Sequence, residues 1–548
     1  MRATAVSLCG AAVLVTGLVA AVPSAAGTTA PAAPRAAHTP HHLAWKKCAT
    51  KDHPTLQCAS VQVPLDHDRP HGRKITLALS RIPHTAKHYR GPLLVNPGGP
   101  GGSGLAMAGF VADALPKKAA AGYDVIGFDP RGVGRSKPAL NCRPGHFAPV
   151  RPASVPYTPS LEKAGVDRAR AFAQACATKY ADVLPFIDTV SAARDLDVVR
   201  TRLGARRISY FGYSYGTYLG AVYAKLFPDR VRRMALDSVV DPHQVWYDAN
   251  LTQDHAFEAR HQAFLAWTAK HHAKYRLGSD PARVQARWNA VRAALTHSPA
   301  GKKVGAAELE DTFLPGGYFD GYWPMLAEAF SAYAHGGKTA PLVRAYERLG
   351  AQDAAGENSY SVYAAVNCRD AGWPRDWARW SRDNWRVHAK SPFMTWNNAW
   401  YNAPCAFWQV PSRDPVDVSN PDLPPVLLLQ ATDDAATPYG GAVTMHHKLR
   451  GSSLVVEQGG GNHGVTLSGN ACLDRHLARY LTSGEVPRGS AGEADAVCER
   501  LPEPKPRSAA RGVRDGGPAV SGGPAVSGGP DVTGSPGADL HGMMGSRG

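Results

Sequence analysis

Phe211-Gly212-Tyr213-Ser214-Tyr215-Gly216 decides how this chain is read. The residues before it, Arg207-Ile208-Ser209-Tyr210-Phe211, are β-branched and aromatic and predict a short strand. The residues after it, Thr217 to Phe227, are apolar, include alanine and stop at Pro228, which predicts a helix. A serine between two glycines at a strand-to-helix junction is an elbow. The glycines let two backbones pass close to a sharply turned residue, and the turn presents the hydroxyl at the N-terminus of the next helix. Ser214 is therefore the candidate nucleophile.

A serine hydroxyl needs a base, and the base needs an orienting carboxylate. On a strand–elbow–helix scaffold the chain order is serine, acid, histidine. Pro425-Val426-Leu427-Leu428-Leu429-Gln430 predicts a late strand, and Asp433 and Asp434 follow it directly as competing acids. Asp237, after the strand that succeeds the elbow, is a third candidate. Leu454-Val455-Val456-Glu457 predicts the next strand, and His463 follows in a glycine-rich loop. For the developing oxyanion, one backbone donor is the amide of Tyr215. The other is expected from an early strand-to-helix loop, and Asn96-Pro97-Gly98-Gly99-Pro100-Gly101-Gly102-Ser103-Gly104 has that placement. This loop lacks the Gly-Lys-Ser/Thr ending of a phosphate-cradling loop.

The chain has 548 residues, a net charge of +16 and a pI near 9.4. Its lysines and arginines are interleaved with acids, without a long basic run, which reads as solvated surface rather than a nucleic-acid face. Arg2, the apolar stretch 5–22 and Ser24-Ala25-Ala26 predict a signal peptide over 1–26 and export, with no stable membrane association after cleavage. Without Cys9, eight cysteines remain. An even set in an exported chain predicts four disulfides, and nearest-neighbour pairing is the simplest assignment: Cys48–Cys58, Cys142–Cys176, Cys368–Cys405 and Cys472–Cys498. No C-x-x-C or H-E-x-x-H occurs, so no metal is expected.

Residues 27–44 read as a disordered leader or propeptide, and 502–548, rich in Gly, Pro and Ser, as a disordered tail. Lys74-Ile75-Thr76-Leu77-Ala78-Leu79, Pro92-Leu93-Leu94-Val95-Asn96, Val125-Ile126-Gly127-Phe128 and Arg233-Met234-Ala235-Leu236-Asp237 predict strands. Leu196, Val199 and Leu203 mark a helix over 191–203. Over 242–421 helical patterns and most of the tryptophans take over. The expected architecture is a mostly parallel, doubly wound α/β sheet built from 45–241 and 422–501, with a large helical cap inserted at 242–421.

Asn96-Pro97-Gly98-Gly99-Pro100-Gly101, Phe128-Asp129-Pro130-Arg131-Gly132-Val133-Gly134-Arg135-Ser136 and Gly212-Tyr213-Ser214-Tyr215-Gly216-Thr217 carry a resemblance. So do Asn367-Cys368-Arg369-Asp370, Asp434-Ala435-Ala436-Thr437-Pro438 and Asn462-His463-Gly464. Over 45–498 the chain resembles the secreted actinobacterial tripeptidyl-aminopeptidase group of α/β-hydrolases, relatives of the prolyl aminopeptidases. The resemblance implies the α/β-hydrolase fold, peptide substrates, no cofactor and an exopeptidase acting from free N-termini. It maps the acid to Asp434 through D-x-x-T-P, the oxyanion glycine to Gly99 and a substrate-amine carboxylate to Asp370. Prolyl aminopeptidases begin the early loop with His-Gly-Gly-Pro. Here Asn96-Pro97 precede Gly98, so proline specificity does not carry over. An esterase on the same machinery is the alternative, because elbow and histidine serve both reactions.

Overall fold

The computed structural model describes residues 43–489 and 492–507. The expected signal peptide, all but the end of the leader and most of the C-terminal tail lie outside the described residues. Ten strands form one sheet: β1 (Lys46–Lys47), β2 (Gln57–Pro64), β3 (Lys74–Ile82), β4 (Gly91–Asn96), β5 (Tyr123–Phe128), β6 (Ile208–Tyr213), β7 (Val231–Asp237), β8 (Val426–Ala431), β9 (Ser453–Gln458) and β10 (Ala496–Glu499). Their order is β1-β2-β3-β5-β4-β6-β7-β8-β9-β10. The pairs β1–β2, β2–β3 and β3–β5 are antiparallel, and every other neighbouring pair is parallel.

The central strands β4 to β8 are buried on both faces, as continuous apolar runs in a parallel sheet demand. Strand alternation splits their side chains between two cores. Leu93, Val95, Phe211, Tyr213, Leu427 and Leu429 pack on one face with the helices Met107–Ala114 and Ala471–Ser483. Leu94, Tyr210, Leu236 and Leu428 pack on the other with Thr189–Arg202, Tyr215–Leu226 and Tyr439–Lys448. Asp188 starts the helix Thr189–Arg202 by accepting the Ser191 amide at 2.7 Å.

Between β7 and β8 the chain leaves the sheet. Helices run from Tyr247 to Asn402, followed by a short 3₁₀ turn and an irregular return. This segment has its own core around Phe257, Phe264, Trp267, Trp288, Phe313, Trp323 and Phe330. Most of its tryptophans are core, as their apolar bulk predicts: Trp288, Trp380 and Trp408 are each 2% exposed, and Trp377, Trp385 and Trp400 are half-buried. Trp373, Trp380, Trp377 and Trp400 form a run of near-parallel rings 4.9–5.8 Å apart. Residues 501–507, which composition places at the edge of the flexible tail, instead lie along this segment. Trp267 Nε1 donates to the Pro504 carbonyl at 2.9 Å, and Lys270 pairs with Glu503 at 2.8 Å.

Four disulfides join Cys48–Cys58, Cys142–Cys176, Cys368–Cys405 and Cys472–Cys498. Two secure strands too short to stand alone and too short to see in the sequence. Cys58 lies opposite Lys46 in the β1–β2 ladder, and Cys498 lies within β10. Cys142–Cys176 closes a 34-residue separation and lies fully inside the core. Loop-closure entropy assigns such a bridge about 3–4 kcal/mol. The Cys142→Ala/Cys176→Ala double variant should lose that much in a urea titration, with a steeper denaturant slope because its unfolded chain is no longer cross-linked.

Candidate active site

Ser214 has φ 55° and ψ −128°, and begins the helix Tyr215–Leu226 directly after β6. A non-glycine residue at positive φ is strained. It is held there by its own amide, which donates to the Asp237 carbonyl at 3.0 Å. The flanking glycines have steric causes. A Cβ on Gly216 would stand 2.8 Å from Asn96 Oδ1, and one on Gly98, at φ +101°, would stand 2.8 Å from Ser214 Cβ. Asn96 Oδ1 accepts the Gly98 amide at 3.0 Å, bending the early loop back over the elbow.

Asp434 and His463 meet as a pair. His463 Nδ1 lies 2.9 and 3.0 Å from the two Asp434 oxygens, with both residues at most 2% exposed. Asp434 also accepts the amides of Ala436 and Thr437 and the Thr437 hydroxyl, which together fix its rotamer. His463 Nε2 is buried and makes no hydrogen bond among the described residues. The ring stands edge-on to Tyr318, and its backbone amide donates to the Tyr318 carbonyl at 2.8 Å. Asp433 points to solvent.

Asp237, the third carboxylate that the sequence offers, holds backbone rather than imidazole. Its oxygens accept the amides of Val465 and Thr466 and the Thr466 hydroxyl. Burial pushes its pKa up to about 6 against these donors. Ser238 Oγ accepts the Gly464 amide at 2.7 Å.

Gly99, Ser214 and Tyr215 line one cavity of about 200 Å³. Its far walls come from the helical segment, with Trp246, Asn250, Gln253, Phe257, Tyr318 and Asn398 among them. Trp246 is the cleft-lining tryptophan. The lining includes no lysine, arginine or histidine, and its one acidic side chain is Asp241. Sequence reasoning missed Asp241. Its signal was its place, just past the end of β7. Asp129, which sequence reading quoted without a role, anchors the early loop: its carboxylate accepts Ser103 Oγ, the Gly104 amide and the Arg135 amide.

Asp370 is not among the residues lining this cavity. One oxygen accepts the Thr189 amide at 2.8 Å, the other accepts the Thr189 hydroxyl, and Thr189 Oγ1 is 2.7 Å from the Tyr215 hydroxyl. It therefore stands behind the residue that follows Ser214. Among the described residues, the one cluster with metal-ligand types is Cys472, His476 and Cys498, and both sulfurs are in a disulfide.

Burial first, and then the Asp188 charge, raise the Asp370 pKa from 3.8 to about 7. The folded chain holds this proton more tightly than the unfolded one. The group's favourable contribution is thus complete below about pH 4 and is lost as pH rises towards 7. Asp370→Asn has no charge to bury. Its stability relative to wild type should rise between pH 4 and pH 8, on the order of 4 kcal/mol, in paired urea titrations. A flat difference would remove the buried-acid account.

The α/β hydrolase fold family model matches residues 91–466. The chain is 44% identical over 474 residues to a tripeptidyl aminopeptidase of Streptomyces lividans, covering 84% of this chain and 87% of the relative. It is 34% identical over 460 residues to the serine protease Hip1 of Mycobacterium tuberculosis, covering 79% and 86%. It is 32% identical over 503 residues to a carboxylesterase B of the same organism, covering 86% and 95%. With its elbow serine, its buried Asp–His pair and a sheet of this order, the chain belongs to the α/β-hydrolase family, within the group that includes the tripeptidyl aminopeptidases.

Proposed function

We propose that this chain is a secreted serine exopeptidase that releases short peptides, of two or three residues, from free N-termini. The kinship with a tripeptidyl aminopeptidase supports the reaction class. The observation that carries the exopeptidase reading is the cavity beside Ser214, whose lining has a single formal charge, the carboxylate of Asp241.

In this reading Ser214 Oγ attacks the scissile carbonyl carbon while His463 Nε2 takes its proton. Asp434 keeps the other ring nitrogen protonated and stabilises the imidazolium. The amides of Gly99 and Tyr215 donate to the oxyanion of the tetrahedral intermediate. The C–N bond then breaks, His463 gives its proton to the leaving amine, and water hydrolyses the acyl-enzyme by the same relay. The cap confines the substrate to an end of a chain. Asp241, rather than Asp370, is the favoured partner of the substrate ammonium, because Asp370's oxygens are taken by Thr189.

An esterase is the second reading, favoured by the relative named carboxylesterase B. A panel of free tripeptide, N-acetylated tripeptide and simple ester substrates on purified protein separates the two. The ester hydrolysed faster than any peptide would select the esterase.

Ser214→Ala should remove at least about three orders of magnitude in kcat without loss of fold. Asp434→Asn should cost about 10⁴-fold by favouring the wrong imidazole tautomer, and exposed Asp433→Asn only a few-fold. Equal losses at the two aspartates would break the assignment. A charge-assisted contact to the substrate amine contributes on the order of 1.5–3 kcal/mol. Both N-acetylation and Asp241→Asn should therefore lower kcat/KM by roughly ten- to a hundredfold, and the two losses should not add. Additive losses would place the ammonium elsewhere.

A further inference from the structure

A second cavity, of about 260 Å³, lies behind the loop that carries His463. Gly459, Gly460, Gly461 and Asn462 form one wall. Arg260 and Trp323 stand on the wall supplied by the helical segment, with Asp320 beside them; Glu457 and Arg500 also line it, as does the Lys270–Glu503 ion pair. Unlike the cavity at Ser214, it is crowded with charge.

Arg260 is the unusual member. It is 8% exposed, and its Nε and Nη2 meet no acceptor among the described residues. Its guanidinium rests on the face of Trp323, 5.0 Å from the ring centre. On its other side it touches the His463 loop: a Cβ on Gly461 would fall 2.2 Å from Arg260 Cζ. A buried guanidinium without an acceptor is costly, and a carboxylate is the partner its planar fork fits best. Asp320 and Glu457 supply the opposite charge. Their oxygens bond to Asn462 Nδ2, to Asn470 Nδ2 and to the Leu501 amide, and neither forms an ion pair with Arg260. Burial pushes both pKa values up, and the Asp320 charge raises that of Glu457 further.

We propose that this cavity binds an α-amino-acid zwitterion, a free amino acid or a short peptide, with its carboxylate on Arg260 and its ammonium at Asp320 and Glu457. One such ligand brings an acceptor to the unpartnered Arg260 nitrogens and a cation to the two carboxylates at once. An anion alone would face two carboxylates, and a cation alone would face Arg260. The site adjoins the catalytic residues through Asp320: its amide donates to Asn462 Oδ1 at 2.9 Å, one residue before His463. The class of ligand is that of the products of the proposed peptidase reaction, so the site is placed to report their accumulation to the His463 loop.

The test uses L-alanine as probe, with propionate and ethylamine as its two halves. L-alanine has no peptide bond, so its binding is read whether or not the chain is a peptidase. Calorimetric titration and thermal shift on the full protein should detect L-alanine and neither half at equal concentration. Arg260→Met should weaken L-alanine roughly ten- to a hundredfold, the loss expected for one charge-assisted contact. Asp320→Asn, which keeps an acceptor and a similar shape, serves as a second variant should Arg260→Met fail to fold, and should weaken it by a similar factor. Asp241→Asn should leave it unchanged. No binding to wild type, binding lost in Asp241→Asn but kept in Arg260→Met, or either half binding as well as the whole would each overturn the proposal.

Discussion

Asp237 ties together the two halves of the site. Its carbonyl accepts the Ser214 amide and so holds the elbow at its positive φ. Its carboxylate accepts the amides of Val465 and Thr466 and the Thr466 hydroxyl, three bonds that bind the end of β7 to the loop carrying His463. Ser214 and His463 are 249 positions apart in the chain, yet both hang from this one residue at the end of a central parallel strand. Such a placement needs a stiff anchor, and a strand buried on both faces provides one. The carboxylate is itself buried, and four donors, these three and Ser238 Oγ, offset its desolvation.

The rest of the site is fixed by similar backbone anchors rather than by packing alone. Asp129 holds Gly104 and Ser103, Asn96 holds Gly98, and Thr437 holds Asp434. Each of these side chains accepts or donates to a loop that has no ladder of its own. The helical segment joins this scheme. Tyr318 accepts the His463 amide, and Asp320 and Asn462 bond to each other. His463 is thereby gripped from both the sheet and the helices, so a change that loosens the helical segment reaches its ring without touching it.

What the sequence makes legible follows from how narrowly local chemistry constrains each residue. The elbow is readable because only glycine survives at Gly216 against Asn96, and because a strand must precede it and a helix must follow. β4 to β9 are readable because burial demands apolar runs, and β3 because its polar and apolar residues alternate. The pairing of His463 with Asp434 over Asp433 needed the resemblance, since adjacent aspartates look alike until a turn decides which one faces inward. β1, β2 and β10 were not singled out: β1 and β10 are short, and disulfides secure their neighbourhoods. The lining of the cavity is the least legible part. Asp370 and Asp241 are both single aspartates near apolar residues. Only tertiary packing turns the first towards Thr189 and the second towards the cavity.

The distribution of charge follows from the same burial. Donors to an oxyanion are most effective where water and competing ions are excluded, because a low local dielectric strengthens them. The lining of the cavity at Ser214 is aromatic, aliphatic, hydroxyl and amide, with Asp241 as its one charge. Charged side chains are collected on the other side of the His463 loop. There Arg260, Asp320 and Glu457 face a separate space across a wall of glycines. A side chain at Gly460 or Gly461 would collide with Glu457 or Arg260, so the wall can be no thicker than backbone. The charged cavity thus lies against the loop that carries His463, and the lining of the cavity at Ser214 is nearly neutral.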